Sequence, residues 1–242
     1  MLEQQLVNAL SLGSVYALFA LGFTLIFGVL GVVNLSHGAV FMVGAYAALQ
    51  VINHFGFPLW AGLLFAFLVC GLLGLAIDFL VLKPLRARGA PHLIPMIATI
   101  GVGIAINSAM QGIFGAENLR FPAGTVSEES LTLGGLHLTA LELGIVLLSF
   151  VLMGALMLSL KRTQLGRAMR AIAESPKAAY LLGINVEGLF YLTSFAAAGL
   201  GGLAGVLILL ALPAVFATFV VQVGFGRMHD AGGDHGAPGR DV

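Results

Sequence analysis

Charged side chains are scarce in this chain. They make up 9% of its 242 residues, where a soluble domain carries about 25%, so a water-soluble fold of this size could not cover itself with polar groups. The formal net charge is zero, which leaves no basic face for nucleic acid. Only one cysteine is present, Cys70, inside an apolar run; a disulfide framework or thiolate metal site within the chain is excluded. The sequence also lacks a GxSxG serine elbow, an HExxH zinc pair and a phosphate-binding P-loop. His37, His54, His92 and His137 are separated by whole apolar runs. Nothing in their spacing asks for a metal or a catalytic dyad, and no cofactor is implied. Met1 to Gln5 lacks the basic start of a cleaved signal, so the first apolar run reads as a retained helix.

What the chain has instead is long uncharged stretches. There are 33 residues between Glu3 and His37 without an Asp, Glu, Lys, Arg or His side chain, 23 from Phe55 to Ile77, 24 from Leu93 to Ala116, 18 from Leu143 to Leu160 and 39 from Gly188 to Gly226. A bilayer core is crossed by about 20 such residues. In hydrocarbon every backbone N–H and C=O must be paired inside its own segment, so each stretch is predicted helical; a barrel would alternate apolar and polar residues instead. The fold class is therefore all-α, a polytopic helical membrane protein of about six spans. These fall near Leu6–Leu30, Gly38–Ile52, Leu59–Leu82, Leu93–Gly115, Ala140–Leu160 and Leu189–Leu212. The second is short enough to be re-entrant.

Eight of the eleven Lys and Arg residues form two clusters, Lys83, Arg86, Arg88 and Lys161, Arg162, Arg167, Arg170, Lys177. Short basic loops stay cytoplasmic, so both clusters are placed inside. Ala116 to Thr139, with Glu117, Glu128 and Glu129 against Arg120, is then outside. Trp60 suits the outer interfacial belt. Counting back, the amino terminus lies outside if Gly38–Ile52 crosses fully and inside if it re-enters. Thirty-three glycines, Gly201 and Gly205 among them in a GxxxG pair, predict closely packed helices.

Polar groups at membrane depth tend to face a bundle interior or a wet path. The densest set is Asn34, Ser36 and His37, joined by Ser11, Ser14, Thr24, Asn107, Ser108 and Gln111. They could line a route for a zwitterionic solute without a fixed charge to trap it, or bond helix to helix. Asp78, the one acid within a long apolar run, is expected to snorkel toward the basic loop at Lys83. In the second basic loop Ser175 and Pro176 start a short helix and Gly183 stops it. Pro176 to Leu182 thus carries Ala178, Ala179, Tyr180, Leu181 and Leu182 into the cytoplasmic loop, where apolar groups need cover from a partner or the bilayer surface.

Gly13-Ser-Val-Tyr-Ala-Leu18, continuing through Gly22 and Phe27-Gly-Val29 to Asn34 and His37-Gly38, resembles the opening of the inner-membrane permeases of branched-chain amino acid ABC importers. Gly166 to Asn185, Thr99-Ile-Gly101 and Gly202-Leu-Ala-Gly205 resemble the same family in order, from about residue 6 to 207. The resemblance implies a multi-pass inner-membrane permease with no ATPase site of its own. Its partners would be a second permease subunit, two cytoplasmic ATPase subunits and an external solute-binding protein, with the bilayer around it. On this reading Asn34, Ser36, His37 and Asn107 line the translocation path, and Arg167, Ala171, Pro176, Ala179, Leu182 and Gly183 belong to the ATPase-coupling loop. The chain departs from the family at Leu35, Ser36 and Ala39, where an aromatic residue, a small residue and often an acid are usual. Branched-chain amino acids are the expected solute; urea or short amides are the alternative.

The likeness is read as ending at Leu212. Residues 1–226 are assigned to an incomplete permease domain and 227–242, with four glycines, one proline and five charged residues, to a disordered polar tail. The expectation is a C-terminally truncated or frame-altered member that transports poorly or not at all, in the limit a silent membrane scaffold. Gly199, Gly201 and Gly205 would then face lipid.

Overall fold

The computed structural model describes residues 2–91, 93–115, 130–133 and 136–211. Its order is α1 (Leu2–Leu30), α2 (His37–Phe55), α3 (Leu59–Ile77), a π-helical turn (Asp78–Leu82), α4 (Lys83–Ala87), α5 (Leu93–Phe114), β1 (Ser130–Leu133), β2 (Leu136–Thr139), α6 (Ala140–Arg162), α7 (Gln164–Glu174), α8 (Pro176–Leu181) and α9 (Val186–Ala211). Six helical stretches among the described residues are long and apolar enough to cross a membrane, the third running from Leu59 through the π turn to Ala87. This is the expected polytopic helical architecture. The addition is an antiparallel pair, β1 with β2, in register Ser130↔Thr139 to Leu133↔Leu136, inside the loop expected on the outer side. Glu117, Arg120, Glu128 and Glu129 of that loop, His92, and the tail 227–242 lie outside the described residues.

The second span is longer than its apolar core. His37 opens it and Asn53, His54 and Phe55 close it, giving 19 residues, or about 28 Å of helix, so it runs the length of a crossing. Gly56 (φ 64°) takes the left-handed conformation that ends it. The helix runs antiparallel to α3, with Val40 beside Cys70 and Ile52 beside Gly62. It runs parallel to α5, where Tyr46 stacks on Phe114 at 5.2 Å. Counting back from the inner loops then puts the amino terminus on the same side as the α2–α3 turn. Cysteines introduced at Leu6 and at Phe57 are expected to react with an impermeant maleimide from one face of the membrane, and one at Lys161 only from the other. Labelling of Leu6→Cys together with Lys161→Cys would overturn the crossing of α2.

Helix α9 is the centre of the bundle. It packs on α1, α2 and α3 and is buried from Ala197 to Leu210, because small residues on several of its faces let the neighbours' backbones and side chains come in. Phe67 of α3 lies against Gly199, the His37 ring of α2 against Gly201, Cys70 against Gly202, and the Phe41 carbonyl against Gly205. Without a hydrophobic drive between helices in lipid, such close packing is what holds them. The expectation that Gly199, Gly201 and Gly205 face lipid is thus corrected: α2 and α3 cover them.

Asp78 turns to the first basic cluster, as expected, and does so from a buried position. Its carboxylate is fully buried and pairs bidentately with Arg86, Nη1 to Oδ1 at 2.7 Å and Nη2 to Oδ2 at 3.1 Å. Two parallel charge-assisted bonds match the guanidinium fork. Lys83 of the same cluster turns to Glu187 and the Tyr191 hydroxyl of α9, each at 2.8 Å. The extra residue of the π turn lies between Asp78 and these cations. It is a common way to re-aim side chains along an otherwise α-helical segment.

Candidate functional site at the broken entry to the second span

Gly31 (φ 67°) ends α1, its N–H donating to the Phe27 carbonyl at 3.0 Å. Residues 31–36 then run without regular helix to the start of α2. Non-helical backbone at membrane depth is tolerated only where protein buries it or water reaches it, and here side chains satisfy it. Asn34 Oδ1 accepts from the Ser36 N–H at 3.1 Å and from Ser36 Oγ at 2.6 Å. Thr99 Oγ1 of α5 accepts from the Leu35 N–H at 3.1 Å while donating to the Met96 carbonyl at 2.8 Å. The His37 N–H donates to the Asn34 carbonyl at 3.3 Å.

The His37 side chain is 1% exposed. Its ring lies 4.8 Å from that of Phe19 and 6.0 Å from that of Phe23, and it fits beside Gly22 and Gly201, where an added Cβ would come within 3.2 and 2.8 Å of it. Neither ring nitrogen has a hydrogen-bond partner of ordinary geometry; the Phe19 backbone carbonyl approaches the ring but too loosely to count as one. A cleft of about 440 Å³ opens beside this histidine, walled by Phe19, Phe23 and Phe41 and reaching Asn34, His37 and Gly38. Its walls are mostly apolar, with Tyr16, Asn34 and His37 the polar residues of its lining, and a mostly apolar lining with few polar groups is usual for a small-molecule site.

The structure therefore brings Asn34, Ser36 and His37 together. It does not bring Asn107, which is half-buried on α5 two turns beyond Thr99, and Ser108 and Gln111 are exposed. Ser14 Oγ and Thr24 Oγ1 spend their protons on carbonyls of their own helix, Ser11 and Ala20 at 2.7 Å. Thr99 is a member of the site that the polar count passed over, although a lone threonine in an apolar helix, within the motif Thr99-Ile-Gly101, was the signal available. Phe19, Phe23 and Gly201 carried none, since aromatics and glycines are common throughout the chain.

On the loop side, Thr163 caps α7 by accepting from the Gly166 N–H at 3.0 Å, and Ser175 caps α8 by accepting from the Ala178 N–H at 3.3 Å. Gly183, at φ 81°, ends the turn after α8, where its N–H donates to the Tyr180 carbonyl at 3.0 Å. Helix α7 buries Gly166, Met169 and Ile172 at spacings of three and leaves Arg167 exposed, with Ala171 half-buried. In α8 the two alanines part company: Ala179 is 2% exposed, packed in the cluster that holds Ile172 and Phe190, whereas Tyr180, Leu181 and Leu182 are 72%, 84% and 79% exposed. Pro176 and Ala178 are exposed as well. Ala179 thus packs within the chain, while its neighbours in α8 are left exposed.

Residues 5–228 match the family described as "Branched-chain amino acid transport system / permease component", so the likeness runs beyond Leu212, where the sequence reading had ended it. The chain is 34% identical over 216 residues to the high-affinity branched-chain amino acid transport system permease protein BraD of Pseudomonas aeruginosa, covering 85% of this chain and 70% of that one. It is 31% identical over 218 residues to LivH of Escherichia coli, with the same coverage. To the probable permease LivH of Methanocaldococcus jannaschii it is 30% identical over 207 residues, 83% of this chain and 64% of the other. No solved structure matches. With a family match over nearly its whole length and a mostly apolar cleft set among six membrane-length helices, the chain belongs to the family of permease components of branched-chain amino acid transport systems.

Proposed function

We propose that this chain is the membrane-spanning permease subunit of an ABC importer in the plasma membrane, moving branched-chain amino acids inward while partner subunits hydrolyse ATP. The observation that carries the reading is the coincidence of the family match over residues 5–228 with a cleft whose wall suits an aliphatic side chain and whose lining carries no charged residue. Asn34 and His37 are among its lining residues, the buried Ser36 bonds Asn34, and Thr99 holds the segment in place. Neutral donors and acceptors can bind a zwitterion without the deep trap that a fixed charge in low dielectric would make.

Coupling to the ATPases follows from one continuous packed cluster. Ala179 of α8, Met169 and Ile172 of α7, Phe190 of α9 and Leu82 lie in it with Leu25, Ile26, Val29 and Leu30 of α1 and Val32 of the broken segment. A partner that presses on the exposed α8 residues therefore pushes, through close-packed side chains, on the segment that floors the cleft. Arg167, Pro176, Leu182 and Gly183 shape the docking surface.

The test is ATP-dependent uptake of labelled L-leucine into vesicles holding this chain with its cognate permease, ATPase and solute-binding subunits. Saturable uptake that valine and isoleucine compete and urea does not is the expected result. An assembled complex that hydrolyses ATP but takes up no leucine, or one that urea or acetamide competes, would overturn the assignment.

A further inference from the structure

A second cavity lies apart from the histidine cleft. It is a groove of about 710 Å³ between α1, α6 and the cytoplasmic helix α7. Leu21, Leu25 and Val29 of α1 line one side, Phe150, Met153 and Met157 of α6 the other. Gly28 and Gly154 are also in the lining, and nothing lies within 4 Å of a Cβ added to either, so each wall is lowered at a glycine.

Two lining residues are charged, Lys161 and Arg170, and both are basic. They stand at the cytoplasmic end. Lys161 is in the last turn of α6, and Arg170 Nη1 donates to the Leu160 carbonyl in that same turn, which holds the guanidinium nearby with further donors to spare. Neither has an ion-pair partner among the described residues, and no acid lines the groove. Its length agrees with its charge. From Lys161 back to Phe150 the groove follows α6 for about 16 Å, and one leaflet of the hydrocarbon core is about 15 Å deep. The groove thus runs from the headgroup level of the inner leaflet to near the bilayer midplane.

We infer that this groove holds an anionic phospholipid of the inner leaflet, with an acyl chain laid between α1 and α6 and the phosphate between Lys161 and Arg170. A crossing helix of a partner would need a groove that continued through the outer leaflet, whereas this one stops at Leu21 and Phe150. Guanidinium and ammonium groups bind phosphate oxygens by charge-assisted bonds, and basic pockets between membrane helices on the cytoplasmic side take anionic headgroups. Binding here requires only that the basic loops face the cytoplasm, whichever solute is carried. Met169, which lines the groove, also belongs to the packed cluster of Ile172, Ala179 and Val32, so a lipid seated there braces the coupling loop.

The test is native mass spectrometry of the full chain, released from detergent after incubation with equal amounts of phosphatidylglycerol and phosphatidylcholine bearing the same acyl chains. Phosphatidylglycerol should be retained at least about fivefold more. Lys161→Gln combined with Arg170→Gln should abolish that preference. Arg88→Gln combined with Arg162→Gln removes the same charge at residues outside the lining and should leave it intact. Gly154→Leu has room for its side chain and should reduce retention of both lipids by filling the groove. Equal retention of the two lipids by the wild type, equal loss of preference in both double variants, unchanged retention in Gly154→Leu, or displacement of the lipid when the second permease subunit binds would overturn the site. Leucine uptake by the assembled importer is scored separately, so a failure here leaves the permease reading standing.

Discussion

Gly44→Leu is expected to abolish accumulation of the folded protein in the membrane. The α carbon of Gly44 faces the backbone of Gly202, and an added Cβ would meet Gly202 Cα and its carbonyl at less than any real contact distance. Neither partner is the flexible end of a side chain, so relief requires α2 to move off α9. Overpacking a core costs about 1–3 kcal/mol where side chains can adjust, and here they cannot. Since α9 is also the surface on which α1 and α3 pack, the displacement is not local. With total stabilities of about 5–15 kcal/mol, a loss of most folded material is expected. Gly112→Leu is the control, because nothing lies within 4 Å of the Cβ it would add. Fluorescence-detected size exclusion of tagged protein measures both. A monodisperse Gly44→Leu peak at wild-type height would show that α2 and α9 do not approach as described.

Leu181→Glu is expected to lower ATPase co-purification and ATP-driven uptake by at least tenfold while leaving insertion and yield normal. Leu181 is 84% exposed and is flanked by two more exposed apolar residues, Tyr180 and Leu182, in a helix of six residues that the caps hold out from the cytoplasmic loop. A buried interface leucine or aromatic in a hot spot is worth about 2 kcal/mol or more, and burying an unpaired carboxylate in its place adds to the loss. Ala179→Glu is a different experiment. That side chain is closed in by the chain itself, so its substitution should reduce yield and thermal stability before it says anything about partners. Uptake unchanged in Leu181→Glu would remove α8 from the docking surface.

Which parts of this were readable in advance follows from what each residue type can tell about its neighbours. Scarcity of charge and the length of the uncharged runs dictated a helical membrane protein, because a bilayer admits only segments that satisfy their own backbone. Ser175, Pro176 and Gly183 marked the short cytoplasmic helix to within a residue, since capping and left-handed glycine are local chemistry. The order of motifs from Gly13 to Gly205 was enough to reach the family. Asn34, Ser36 and His37 could be singled out as a group because they are adjacent in the chain.

Tertiary structure decided the rest. Asp78 chose Arg86 over the nearer Lys83 because a π turn re-aims the helix and Glu187 and Tyr191 of a distant helix occupy the lysine. Ala178 and Ala179 are equivalent in sequence, and only the packing of Ile172 and Phe190 buries one and leaves the other free. Glycines are the extreme case: Gly44, Gly201 and Gly202 name no partner, since a residue without a side chain records only that something else comes close. The sequence by itself determined the solvent, the helices and the caps, which depend on composition and near neighbours. Which helix covers which, and that the His37 ring packs between Gly22 and Gly201, depended on contacts across more than a hundred residues, as from His37 to Gly201, and these only the fold could supply.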